Sequence, residues 1–173
     1  MKTTFVIGGC RSGKSGHAQH LAEKMAGPKL YIATCVPLDE EMRARAEQHR
    51  QQRGADWDTL EEPVALAAAI RDNCQKYDVI LVDCLTLWTS NILLSPGGRP
   101  ALEKASGTLM ESLNGPGCPV ILVSNEVGTG IVPDNALARL YRDEAGRVNQ
   151  AIAAAADRVI WMVAGIPVTI KSS

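Results

Sequence analysis

The strongest chemical signal in the chain is Gly8-Gly9-Cys10-Arg11-Ser12-Gly13-Lys14-Ser15, spaced as G-x-x-x-x-G-K-[ST]. It follows a short apolar run and opens a segment of helical composition, the context in which such a loop works. Glycines let successive backbone N–H groups turn inward around phosphate oxygens, and the helix N-terminus adds a positive dipole. Lys14 supplies a point charge, and the Ser15 hydroxyl can ligate Mg²⁺. From the composition, chance would give roughly 0.005 matches to this pattern.

A phosphate loop needs an acid for the metal, usually at the end of another strand. Val79-Ile80-Leu81-Val82-Asp83 supplies one, although Asp83 also reads as the cap of a helix that follows. A third group lies in residues 39–53, a helix-forming stretch whose only larger apolar residue is Met42. At i, i+4 spacing Glu41, Arg45, His49 and Arg53 fall on one face, so an imidazole sits between two guanidinium groups. Such a stripe suits a polyphosphate, and the neighbouring cations keep the imidazole lone pair free for attack on phosphorus. A histidine among charges is also what a solvated helix face looks like, and both readings stand on the residues alone. Glu61 could accept hydrogen bonds from a base or ribose, but Glu61-Glu62-Pro63 also reads as the acidic first turn of the next helix.

These groups need a scaffold. Apolar runs at residues 4–7, 30–33, 79–82, 120–123, 159–163 and 168–170 suit strands covered on both faces. Segments of helical character lie between them at 14–25, 40–53, 64–76, 102–113 and 136–156, the last with a break expected near Gly146. Strands alternating with helices predict a mostly parallel α/β sheet, and the strand after Gly165-Ile166-Pro167 is a candidate antiparallel edge. Ser95-Pro96-Gly97-Gly98-Arg99-Pro100 reads as a surface loop.

The 173 residues predict a single nucleotide-binding domain over 1–173, with 46% hydrophobic residues to build its core. Eighteen basic against 19 acidic residues leave no global field for nucleic acid or an anionic membrane, so phosphate binding must be local. The apolar run 159–170 is too short to span a bilayer. Five scattered cysteines without a CxxC pair argue against a disulfide framework or a zinc site and suit a reducing cytoplasm.

Taken in order, these motifs resemble the bifunctional adenosylcobinamide kinase / adenosylcobinamide-phosphate guanylyltransferase family of cobalamin biosynthesis. The resemblance spans nearly the whole chain. The glycine-rich loop looks like GG-x-RSGKS, Tyr31-Ile32-Ala33-Thr34 like YIAT, and Glu41 to Arg53 like EM-x-x-R-x-x-x-HR-x-x-R. Trp57 to Pro63, Asp83-Cys84-Leu85-Thr86-Leu87-Trp88 with Asn91, residues 124–133, residues 142–150 and residues 163–167 are similar in turn. Cys10 and Cys35 stand where the family commonly has small residues.

The resemblance implies a P-loop NTPase-like (RecA-like) fold, Mg²⁺, and ATP and GTP as substrates. It implies phosphorylation of the aminopropanol hydroxyl of adenosylcobinamide, then transfer of GMP from GTP through a covalent phosphoramidate on the position matching His49. Gly8 to Ser15 would hold the triphosphate. Ala33, Thr34 and Cys35, with Arg50, Gln51, Gln52 and Arg53, would line the nucleotide site, and Glu61 and Asp83 would contact nucleotide or metal. It also implies a homotrimer with sites at subunit boundaries.

The helix without an apolar stripe is expected to act as a lid that carries His49 towards the α-phosphorus. A plain small-molecule kinase and a regulatory GTPase are the competing readings, and the chain shows no clear NKxD-type guanine motif. Asn125, Glu126, Arg139, Arg142 and Asn149 are polar candidates for the corrinoid, or equally caps and surface ion pairs.

Overall fold

The structure is a computed structural model that describes residues 2–36, 40, 53–54 and 56–172. The helix expected over 40–53 falls outside the described residues except at its two ends, and so do His49, Arg50, Gln51 and Gln52.

Among the described residues seven strands form one sheet: β1 (Thr3–Gly8), β2 (Lys29–Ala33), β3 (Trp57–Glu61), β4 (Val79–Asp83), β5 (Val120–Asn125), β6 (Arg158–Val163) and β7 (Ile166–Ser172). Their order is β3-β2-β4-β5-β1-β6-β7, parallel throughout except for the antiparallel β6–β7 edge. The described helices are α1 (Lys14–Glu23), α2 (Leu66–Asn73), α3 (Leu85–Leu93), α4 (Gly98–Leu113) and α5 (Ala136–Ala155).

Alternation along the strands sorts the core into two layers. Phe5, Ile7, Leu30, Ile32, Ile80, Val82, Val120 and Leu122 pack with residues of α2 to α5. Val6, Val79, Leu81, Ile121, Val123 and Ile160 point the other way, onto Ala18 and Ala22 of α1. Both faces of the central strands are thus buried, which is why they read as unbroken apolar runs.

Three local expectations are corrected. The helix α5 runs unbroken through Gly146, because Ala145, Val148, Asn149 and Ile152 on either side are buried. That packing outweighs the cost of about 1 kcal/mol for a helical glycine. The expected loop 95–100 already enters α4, whose first turn contains Pro100, a position that needs no N–H donor. Arg99 in that turn pairs with the buried Glu144 of α5 at 3.0 Å. The third correction is β3, a strand with no counterpart among the expected runs, which pairs in parallel with β2.

Candidate active site

The carboxyl ends of β1, β2, β3 and β4 gather the chemically active residues along one edge of the sheet. At the end of β1 the chain turns so tightly that a Cβ on Gly8 would lie 2.6 Å from the Met162 carbonyl oxygen and from Ser12 Oγ. Gly13, with φ +87°, takes a left-handed conformation as the residue that opens α1. Both positions require glycine, one for space and the other for backbone angle. The loop is braced by Ser12 N–H donating to the Gly9 carbonyl and Gly165 N–H donating to the Ser12 carbonyl, 3.3 and 3.1 Å. Lys14 folds back over it, its Nζ donating to the Gly9 carbonyl at 3.1 Å.

The Ser12 hydroxyl is buried and has no hydrogen-bond partner among the described residues. A buried polar atom left over in a glycine-rich turn fits a loop shaped around phosphate oxygens.

Asp83 ends β4, and on the same rung of the sheet stand Ala33 of β2 and Glu61 of β3. The pleat sends Ala33, Glu61 and Asp83 to the face that carries α1, the helix opened by the phosphate loop. Asp83 does not cap the following helix: Cys84 is its N-cap residue, with no side-chain cap bond. Instead Asp83 Oδ2 accepts a hydrogen bond from the Tyr31 hydroxyl at 3.2 Å. Ser15 and Asp83 are hard oxygen donors of the kind Mg²⁺ takes alongside phosphate oxygens and water, so the residues present fit that ion.

Glu61 is exposed at the end of β3, whereas Glu62 turns back and accepts from the N–H groups of Val64 and Ala65 at 2.9 and 2.7 Å. The acidic helix start read from the sequence therefore belongs to Glu62 and leaves Glu61 available. Cys35 sits close to both acids: burial first, then the charges of Asp83 and Glu61, raise its thiol above the ordinary value. Thr34 is fully buried, its hydroxyl donating to the Cys84 carbonyl at 2.7 Å and accepting from the Cys84 N–H at 2.9 Å. Its carbonyl accepts from Asn91 Nδ2 at 2.8 Å, so Thr34 joins the end of β2 both to Cys84 at the start of α3 and to the last turn of that helix.

Arg53 lies over the Tyr31 ring, 3.7 Å from the centroid, and its Nη2 donates to Thr59 Oγ1 at 3.2 Å. Tyr31 is the residue that sequence reasoning missed: its motif was visible, its two contacts were not. Among the polar candidates, Glu126 accepts from the Gly128 N–H, Arg139 donates to the carbonyls of Pro133 and Asp134, and Asn149 donates to the Asn125 carbonyl. Asn125 Oδ1 and Arg142 Nη1 are buried with no partner among the described residues.

The family model described as cobinamide kinase / cobinamide phosphate guanyltransferase matches residues 4–170. The chain belongs to this family. The bifunctional adenosylcobalamin biosynthesis protein CobP of Pseudomonas aeruginosa is 46% identical over 173 residues, covering 96% of each chain. The bifunctional adenosylcobalamin biosynthesis protein CobU of Escherichia coli is 45% identical over 179 residues, covering 96% of this chain and 98% of its own. In fold, a solved Pyrococcus horikoshii protein superposes with TM-score 0.59 at 8% identity, over 99% of this chain and 86% of that one. A type III secretion ATPase gives TM-score 0.53 at 12% identity, over 92% and 50%. The fold these two structures share with the chain is the mostly parallel α/β sheet described above, which here carries an antiparallel edge.

Proposed function

We propose that this chain phosphorylates adenosylcobinamide and then guanylylates the product. In the first step the aminopropanol hydroxyl attacks the γ-phosphorus of ATP or GTP, gives up its proton, and a nucleoside diphosphate leaves. In the second, an imidazole nitrogen of His49 attacks the α-phosphorus of GTP and the bond to pyrophosphate breaks, leaving a phosphoramidate. A phosphate oxygen of adenosylcobinamide phosphate then displaces His49 and yields adenosylcobinamide-GDP.

The observation that carries this reading is the convergence of the phosphate loop, Asp83 and Glu61 on one sheet edge in a chain of this family. Lys14, bonded to a carbonyl of its own loop, exchanges that partner for a phosphate oxygen, and the Ser12 hydroxyl finds an acceptor there. Ser15 and Asp83 would hold Mg²⁺, which when bound neutralises charge on the phosphates and the leaving group. Ala33 and Cys35 with Glu61 would face the nucleotide, and Arg50, Gln51, Gln52 and Arg53 would line the same nucleotide site.

The enzyme would work as a homotrimer in the cytoplasm. The exposed Trp161, Ile166, Val168 and Ile170 of the β6–β7 edge offer apolar surface for assembly, and no helix among the described residues is long and apolar enough to cross a membrane. Incubation of the purified chain with adenosylcobinamide, GTP and Mg²⁺ tests the activity. Sequential appearance of the phosphorylated and GDP-linked corrinoids is expected; absence of both would overturn the reading.

A further inference from the structure

The mechanism above gives no role to Tyr31, yet this one side chain touches two groups that the reaction needs. Its hydroxyl donates to Asp83 Oδ2 at 3.2 Å, while its ring carries the Arg53 guanidinium 3.7 Å from the centroid. Trp57 packs edge-on against the same ring, centroids 6.4 Å apart, and Thr59, opposite Tyr31 in the β2–β3 ladder, accepts from Arg53 Nη2. The phenol is therefore fixed by its neighbours, the carboxylate at its tip and the cation on its face.

A carboxylate meant for Mg²⁺ and a guanidinium meant for phosphate attract one another, and a direct pair between them would withdraw both from a ligand. The Tyr31 ring offers each a separate partner, the carboxylate at its hydroxyl tip and the guanidinium on its face. It gives the guanidinium a π-face and the carboxylate a neutral donor when no nucleotide is bound.

We infer that Tyr31 is a positioning residue for the nucleotide site: its hydroxyl aims Asp83 at the metal, and its ring holds Arg53 apart from Asp83 and directed at the phosphates. This inference rests on the functional reading above only in taking the ligand to be an Mg²⁺–nucleoside triphosphate.

The two contacts separate by substitution. Tyr31→Phe keeps the ring and removes the donor; Tyr31→Leu removes both. Binding of a ribose-labelled fluorescent GTP analogue is titrated with and without Mg²⁺, using variants that melt cooperatively. The hydroxyl contact predicts a roughly tenfold rise in the Mg²⁺ concentration for half-maximal binding in both variants. The ring contact predicts that Mg²⁺-free affinity falls at least about threefold further in Tyr31→Leu than in Tyr31→Phe. An unchanged Mg²⁺ requirement in Tyr31→Phe, or identical Mg²⁺-free affinities in the two variants, would overturn the inference. Because the readout is binding, it stays decisive even if the wild-type chain binds the analogue and makes no corrinoid product.

Discussion

Thr34 and Cys84, 50 residues apart, are joined by two hydrogen bonds through a single buried hydroxyl, which donates to the Cys84 carbonyl and accepts from its N–H. The residue after β2 is thereby tied to the residue after Asp83, and the rung bearing Ala33, Glu61 and Asp83 is closed at its exit. Thr34→Val keeps the shape, strands the buried Cys84 N–H and leaves the Cys84 carbonyl to the Trp88 N–H alone. A loss of about 1–3 kcal/mol in unfolding free energy is expected from urea denaturation, with weaker nucleotide binding in the folded variant. Wild-type stability would show that the hydroxyl does not hold this edge.

Lys14 would serve both proposed half-reactions, since each handles a triphosphate in the same loop. Lys14→Ala is expected to lower kcat of the kinase and guanylyl-transfer steps alike, each by about 10²–10³-fold. Its contact with the Gly9 carbonyl is a single half-buried bond, so the melting temperature should move little. Steady-state assays of the two steps, run separately, check this; loss of only one step would assign Lys14 to that reaction alone.

His17, on the first turns of α1, titrates below its ordinary value, first because of burial and then because of the charges of Arg158, His20 and Lys24. The folded chain thus resists protonating it while the unfolded chain does not. Stability from this group is complete above the unfolded value near 6.5 and is lost as pH falls through the lower folded value. Melting temperature should therefore decline on acidification below about pH 6.5, with a shallower decline in His17→Gln. Parallel slopes for the two proteins would remove His17 as the cause.

Much of this was legible from local sequence, for a physical reason. The central strands are buried on both faces and had to be apolar throughout, and the phosphate loop keeps all its chemistry within eight consecutive residues. The edge strand β3 was hidden because it mixes Asp58 and Glu61 with Trp57 and Leu60 and lies half exposed, so neither alternation nor an apolar run marks it. Gly146 looked like a break because helix propensity is local, while the burial that holds α5 together is tertiary. The stacking of Arg53 on Tyr31 joins residues of different elements through space, and no spacing rule encodes it.

The central claim is that His49 carries the guanylyl group, and labelling with GTP radiolabelled at the α-phosphorus tests it most directly. The wild-type chain should retain acid-labile, base-stable label after denaturation, and His49→Ala should retain none while keeping much of its kinase activity. Undiminished acid-labile labelling of His49→Ala would contradict the account.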